Sequence, residues 1–194
     1  KILLEGKQAS GVKYEQHGQL KQVSANSAVV LSAGAIASPQ LLELSGIGNP
    51  AILKKHGVEP LHILPGVGEN LQEHYMVPFV CRASEPVSMN EQTRGFQLLQ
   101  QLVRYAMRRK GILSNSGFHV QGYFKSREEV ERNDMQIHFF PFSGETDPEK
   151  ARKNKLQDQP GFTFMFTQMR PESRGHSHIQ SADAGVIPVI NPAF

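Results

Sequence analysis

The stretch that decides the fold is SAGAIASPQLLELSGIG, residues 32–48. It follows Ala28–Leu31, a short apolar run whose continuous hydrophobicity predicts a strand covered on both faces. After a turn of small residues, Ser38 and Pro39 are a typical N-cap and first residue of a helix. The leucines that follow give this helix an apolar face, and the glycines of 45–48 end it. A strand, a turn of small residues and a helix in this order predict an α/β unit.

Turn and cap residues on both sides of this stretch predict further short elements. Upstream, 11–15 alternates at the strand period and 20–24 returns as its partner, which together predict a β-hairpin. Downstream, Asn49 caps a second helix that has Pro50 at its first position. Residues 58–64 then predict another strand, followed by a tight turn.

The second half of the sequence predicts an antiparallel sheet with helices on one side. Its clearest strand signal is the period-two alternation of Phe162, Phe164 and Phe166, which places the three rings on one face. An amphipathic helix is predicted over 95–110 and a short charged helix over 126–132. Further strands are predicted at 117–124, 135–140 and 176–180. The change in character near residue 80 predicts a domain boundary there.

Composition excludes several classes of protein. With a single cysteine, Cys81, there is no disulfide framework, and a cysteine-based metal site is not expected. No apolar run reaches the roughly 20 residues that span a bilayer, so we expect no transmembrane segment and a cytoplasmic protein. The net charge is +3, and the densest basic group, 104–110, lies at a predicted helix end, where cations complement the dipole. We therefore expect no nucleic-acid partner.

Four segments resemble the motifs of the glucose–methanol–choline (GMC) oxidoreductases, in the family's order. Residues 32–48 resemble the second family signature, and 64–74, LPGVGENLQEH, resemble its Pro-Gly-Val-Gly-x-Asn-Leu-Gln-Asp-His segment with Glu73 in place of Asp. Residues 111–114 and 170–192 resemble two later segments. These motifs most resemble those of the choline dehydrogenase and aryl-alcohol oxidase branch of the family.

The resemblance implies an α/β plus α+β fold with two domains. One is a Rossmann-type FAD-binding domain, incomplete here, to which we assign residues 1–80. The other is an antiparallel-sheet substrate domain, to which we assign residues 81–194. The implied reaction is oxidation of a primary alcohol to an aldehyde by hydride transfer to FAD. The small-molecule alcohol and the electron acceptor, oxygen or a quinone, stay open.

Five residues are predicted to contact FAD. Small side chains let backbone N–H groups approach a dinucleotide closely, which favours Ser32, Ala33, Gly34 and Ala35. The alternative is that these residues only let the helix pack on a sheet. Asn70 is the fifth, in a polar cluster at 70–74 that could line the flavin edge or pin the domain boundary. For that cluster as a whole we favour the structural role.

No catalytic residue is assigned. In the family, a His in a His-x-x-Gly-Thr segment takes the hydroxyl proton, and we expect that segment to follow Phe194. The family's Gly-x-Gly-x-x-Gly turn does not occur in the sequence either. Adjacent residues of a strand point to opposite faces, so Glu73 and His74 are not predicted to form a catalytic dyad.

No catalytic or metal-binding role is assigned to His119, His138, His176 or His178. His176 and His178 share a strand face in the predicted second-domain sheet, but a pair without a third ligand does not define a metal site, and we assign none. We interpret His178 as structural or exposed, without effect on the flavin. His119 and His138 could face the substrate cavity, although ordinary strand histidines are the favoured interpretation. The phenylalanine stripe is expected to be core. A non-catalytic scaffold or interaction domain that retains the fold is the alternative to an enzyme.

Overall fold

The computed structural model describes residues 1–153 and 155–194, and the chain divides into two units. The first unit joins Lys1–Glu73 to Glu172–Phe194, and the second is His74–Pro171. Residues 172–194, which the sequence analysis places in the range 81–194, therefore pack with the first residues of the chain. The flavin and substrate roles given to 1–80 and 81–194 stay predictions.

The first unit contains three small sheets and two helices. Its elements are β1 (Ile2–Glu5), β2 (Gln8–Gln16), β3 (Gln19–Ser24), α1 (Gly34–Leu44), β4 (Ile47–Gly48), α2 (Pro50–Lys55), β5 (His62–Ile63), β6 (Glu69–Leu71), β11 (Gly175–His178) and β12 (Val189–Asn191). The sheets have the orders β1-β2-β3, β12-β11-β6 and β4-β5. A small core of Leu53, Val58 and Ile179 is buried beneath them.

Several predicted elements of this unit are confirmed. β2 and β3 pair antiparallel from Gly11 to Gln16, as the predicted hairpin requires. The side chain of Asn49 accepts a hydrogen bond from the Ala51 N–H at 3.0 Å, and Pro50 is the first residue of α2. Gly46, with a φ of +83°, follows directly on the end of α1. Local cap chemistry therefore decided these boundaries.

The predicted start of α1 is wrong. The helix begins at Gly34 and contains Pro39 in its interior, while the Ser38 hydroxyl accepts a hydrogen bond from the Ala33 N–H at 3.2 Å. Ala35, Ile36 and Ala37 have helix propensity enough to extend the helix toward the N-terminus. The Pro39 ring removes the N–H that would have bonded to the Ala35 carbonyl.

The predicted strands before and after this region are also corrected. Ala28–Leu31 is not a strand: Val30 is 85% exposed, and no strand in the described part of the chain pairs with the segment. An apolar run needs a neighbouring ladder to become a strand, and local sequence does not supply one. Of residues 58–64, only His62–Ile63 is a strand, and it pairs parallel with Ile47–Gly48.

The second unit is built on one four-stranded antiparallel sheet. Its elements are β7 (Met76–Arg82), α3 (Met89–Gln92), α4 (Gly95–Arg108), a 3₁₀ turn (Ile112–Ser114), β8 (Val120–Phe124), β9 (Met135–Phe140), α5 (Pro148–Ala151) and β10 (Gly161–Gln168). The strand order is β7-β10-β9-β8. Cys81 lies in β7 as a free thiol, as the sequence predicts.

Two predictions for this half of the chain are wrong. Residues 126–132 form turns and bends instead of a charged helix. β11, predicted at 176–180 as part of the second-domain sheet, belongs to the first unit and pairs with β12 and β6. Strand periodicity identifies a strand but not its partner, because partners are chosen by contacts distant in sequence.

Helix α4 is confirmed, and its apolar face is exposed. Phe96 is 71% exposed, and Leu99, Val103 and Met107 on the same face are also exposed. The helix ends at Arg108, and Arg109 adopts a left-handed conformation as its C-cap.

Candidate functional site

A cavity of about 700 Å³ lies within the first unit, between α1 and the segment 64–72. Ala35, Ser38, Pro39 and Leu42 form its helical wall. These positions are spaced three and four residues apart, so they share one face of α1. The opposite wall is the turn at Gly66–Gly68 and strand β6, with Ser177 of β11 beside it.

The turn at the cavity wall contains two glycines, Gly66 and Gly68, and only the second position requires a glycine. Gly68 has a φ of +80°, and a Cβ there would lie 2.3 Å from the Ser177 carbonyl oxygen and 2.6 Å from Nδ1 of His178. A Cβ at Gly66 would meet no atom within 4 Å. Asn70 is also left-handed, with a φ of +63°, a conformation that Asn tolerates better than most residues. The backbone of this wall is therefore held in an unusual path.

The structure brings two of the five predicted cofactor residues to the same cavity. Ala35, from the helix, and Asn70, from β6, both line it. Ser32, Ala33 and Gly34 lie just before or at the start of α1, are exposed, and do not line the cavity. Gly34 has a φ of +85°, and its Cβ would enter open space. Two motifs about 30 positions apart in sequence thus form opposite walls of one site.

A row of three ionisable side chains connects these walls. Nδ1 of His178 lies 2.7 Å from Oε1 of Glu43 on α1, and its Nε2 lies 3.0 Å from Oε1 of Glu69 on β6. The other oxygen of Glu43 accepts the Ile179 N–H at 2.8 Å. The Glu43 side chain is completely buried, and that of His178 is only 12% exposed. We call these three residues the Glu–His–Glu bridge.

The sequence alone does not predict this bridge. The strand pattern places His178, interpreted as structural or exposed, in the second-domain sheet, but it lies in the first unit, largely buried between two carboxylates. Glu43 sits between leucines of an apolar helix, which is a sign of a buried charge that needs a partner. Its partner is 135 positions away, and no local pattern could identify it.

Other residues of the polar cluster at 70–74 are placed as follows. With its amide oxygen turned toward Arg174, Gln72 accepts a hydrogen bond from Nη2 of that guanidinium at 2.6 Å. Glu73 is the last residue of the first segment of unit one, and His74 begins unit two. The Ser177 hydroxyl is buried and has no hydrogen-bond partner among the residues that the structure describes.

Several histidines and phenylalanines of the second unit lie on its sheet or beside it. His138, in β9, stacks on Phe118 with ring centroids 4.8 Å apart, and the His119 N–H donates to the Phe139 carbonyl at 3.1 Å. Phe162 and Phe164 both contact Phe139, at 5.8 and 5.4 Å between centroids. The aromatic stripe is therefore continuous across neighbouring strands.

Residues 1–153 and 155–194, the described part of the chain, contain neither a metal-binding cluster nor a membrane-spanning helix. Within that part of the chain, no group of three or more His, Cys, Asp or Glu side chains is arranged to hold a metal ion. No helix there has the length and apolar character needed to cross a membrane.

Comparison with known proteins finds similarity to one family. The family model described as GMC oxidoreductase matches residues 1–76. An oxygen-dependent choline dehydrogenase of Chromohalobacter salexigens is 37% identical over 189 residues, which are 97% of this chain and 33% of that protein. The first 76 residues of the chain are thus similar to the GMC oxidoreductase family. An alcohol dehydrogenase [acceptor] of Pseudomonas putida is 36% identical over 200 aligned positions, covering all of this chain and 35% of that protein.

Solved structures share the fold of this chain. A formate oxidase matches all of the chain and 38% of its own length, with a TM-score of 0.87 and 22% identity. An R554A variant of the Aspergillus oryzae formate oxidase, solved for the effect of the mutation on FAD modification, matches with a TM-score of 0.88 and 22% identity. The mixed α/β fold with antiparallel sheets is thus shared with these solved structures. The chain spans about a third of the length of the curated relatives it matches.

Proposed function

We propose that this chain is part of an FAD-dependent oxidoreductase that oxidises a primary alcohol to an aldehyde. One observation carries the proposal: the segments 32–48 and 64–74, which resemble two separate GMC motifs, line one cavity. A motif match alone is consistent with a scaffold domain that keeps the fold. Preserved space between the two motifs is what a bound cofactor requires.

The residues that surround the cavity fit part of an FAD molecule. Its volume, about 700 Å³, lies within the roughly 300–1,000 Å³ typical of small-molecule sites. Ala35, Ser38 and Gly66 present small side chains, so a ligand can approach the backbone closely. Helix α1 begins without a side-chain cap, and its first N–H groups carry partial positive charge that suits a phosphate.

We assign the contacts by residue. The backbone N–H groups of Ser32, Gly34 and Ala35 donate to the dinucleotide. Ala33, whose N–H already bonds to the Ser38 hydroxyl, contacts it through its small side chain, and the Asn70 side chain contacts the cofactor from the opposite wall. Bound FAD supplies the acceptor for the hydride that leaves the alcohol carbon. Within this proposal, residues 1–80 belong to an incomplete Rossmann-type FAD-binding domain and 81–194 to an antiparallel-sheet substrate domain. No residue of the chain is assigned as the base.

The substrate class is proposed from the activities that the relatives' names state. Choline dehydrogenases and an alcohol dehydrogenase are more than a third identical to this chain, and choline is itself a primary alcohol. We therefore propose a small primary alcohol as substrate, with oxygen or a quinone as electron acceptor. A cytoplasmic location is part of the same proposal.

The proposal is tested on the protein that contains this chain, expressed from its complete gene. The purified protein should carry a visible flavin band, and anaerobic addition of primary alcohols should bleach it. Secondary alcohols serve as the comparison. A flavin band that no primary alcohol bleaches would remove the proposed reaction, and a protein that neither carries nor takes up FAD would favour the scaffold alternative.

A further inference from the structure

The Glu–His–Glu bridge connects the two walls of the cavity. Glu43 lies on α1, one position after the cavity-lining Leu42, and Glu69 is the β6 neighbour of Asn70. His178 contacts both carboxylates from β11, with one ring nitrogen for each. A single imidazole therefore fixes the helical wall to the strand wall.

The hydrogen bonds of the bridge need a particular protonation state. An ionised carboxylate only accepts hydrogen bonds, whereas a neutral imidazole donates through one nitrogen and a protonated one through both. Both ring nitrogens face carboxylate oxygens, and the imidazolium satisfies both contacts when the two carboxylates are ionised. The buried Glu43 carboxylate, already bonded to the Ile179 N–H, also needs a positive partner to offset its desolvation.

The charged groups around the ring support the same state. Glu43 faces it from α1 and Glu69 from β6, and the other titratable ring next to it is His176, stacked at a centroid distance of 5.2 Å. On the β12 side, the residue paired with His178 is the apolar Val189. Two carboxylates thus face one histidine pair in a half-buried setting.

We propose that His178, as an imidazolium, is a positioning residue that holds α1 and β6 at the separation the cavity ligand requires. It makes no contact with the ligand in this proposal. Its effect passes through Glu69 to the left-handed Asn70 and through Glu43 to the face of α1 at Leu42. The ligand is FAD, so the affinity part of the inference rests on the proposed function, while the positioning part does not.

The matched variants are His178→Gln, Glu43→Gln and their double mutant, with His62→Gln as the control. Gln donates from one nitrogen only, so it cannot complete the bridge, and it leaves the Glu43 carboxylate buried without a cation. Glu43→Gln in the same background removes that buried charge. His62 is an exposed histidine of the same unit, and its replacement controls for loss of an imidazole.

The experiment uses the protein expressed from its complete gene and measures two quantities. Amide hydrogen exchange reports whether strand β6 stays in its folded position. The dissociation constant for FAD reports whether the cavity keeps the shape that binds the cofactor. We expect His178→Gln to exchange its β6 amides faster and to bind FAD about 10-fold more weakly, the size of coupling found within one charge network. In the double mutant, β6 exchange and FAD affinity should both return most of the way to the wild-type values. This recovery is not expected if the ring of His178 only fills space. His62→Gln should match wild type.

Nitrogen NMR of the imidazole supplies the direct signature. Both ring nitrogens of His178 should carry protons in the wild-type protein while Glu69 is ionised. A single neutral tautomer, unchanged β6 exchange in His178→Gln, or a double mutant no better than the single would each overturn the inference. A protein that binds no FAD but shows the predicted exchange and NMR pattern would retain the bridge and remove only the proposed function.

Discussion

Replacing Gly68 by Ala tests how the cavity wall is held. The new Cβ would lie 2.3 Å from the Ser177 carbonyl oxygen and 2.6 Å from Nδ1 of His178, so one of the two strands must move. The φ of +80° adds about 1–2 kcal/mol of left-handed strain. Overpacking adds about 1–3 kcal/mol. Because the two overlap, we expect a local loss of about 2–4 kcal/mol.

The Ser177 amide reports this loss directly, because its N–H donates to the Gly68 carbonyl at 2.7 Å. A loss of 2–4 kcal/mol corresponds to hydrogen exchange about 30- to 900-fold faster, at 1.36 kcal/mol per factor of ten. Gly66→Ala, two positions earlier, adds a Cβ that meets no atom within 4 Å and should change exchange less than about 5-fold. Equal exchange in the two variants, or a Gly68→Ala protein like wild type, would refute the reasoning.

Three further predictions concern separate parts of the chain. Gly34→Leu should lower the flavin-to-protein absorbance ratio, because it strains the start of α1 next to the proposed cofactor. Gly6→Leu controls for backbone strain, since Gly6 has a φ of +61° and equally open space. Equal absorbance ratios in the two variants would contradict the assignment of Gly34. Asn90→Ala should lower the thermal midpoint of unfolding, with a loss of about 2–4 kcal/mol in the free energy of unfolding. The reason is that the buried Asn90 side chain bonds to Ser143 and to the Gln157 carbonyl. An unchanged midpoint would show that these hydrogen bonds do not hold Ser143 and Gln157 in place. Hydrogen bonds from the Ser126 side chain and then its backbone N–H lower the pKa of Asp134, so Ser126→Ala should raise that pKa in a carboxyl NMR titration. Since a lowered pKa stabilises the fold above the unfolded carboxyl's pKa, that contribution is lost as pH falls through the folded pKa.

Elements with local signals were predictable from the sequence. The hairpin of β2 and β3, the Asn49 cap of α2 and the alternating strand β10 depend on neighbouring residues, and the structure confirms them. The start of α1 was misplaced because a good cap and proline pair at Ser38 competes with strong helix formers before it. Ala28–Leu31 failed because a strand needs a partner that the run itself does not encode.

The candidate site was only half predictable. Ala35 and Asn70 are predicted through motif resemblance, and only the fold shows that both line one cavity. Their contact with FAD stays a prediction. The Glu–His–Glu bridge was missed because Glu43 and His178 are 135 positions apart. Sequence showed an unexplained glutamate inside an apolar helix, and only the structure supplied the partner that makes its burial tolerable.

The most direct test of the central claim is an experimental structure of the protein expressed from its complete gene, determined with FAD bound. The account predicts that the cofactor lies between the two walls of the cavity, with atoms in contact distance, within about 4 Å, of both Ala35 and Asn70. FAD bound elsewhere, with the space between α1 and residues 64–72 filled by protein or solvent, would contradict it.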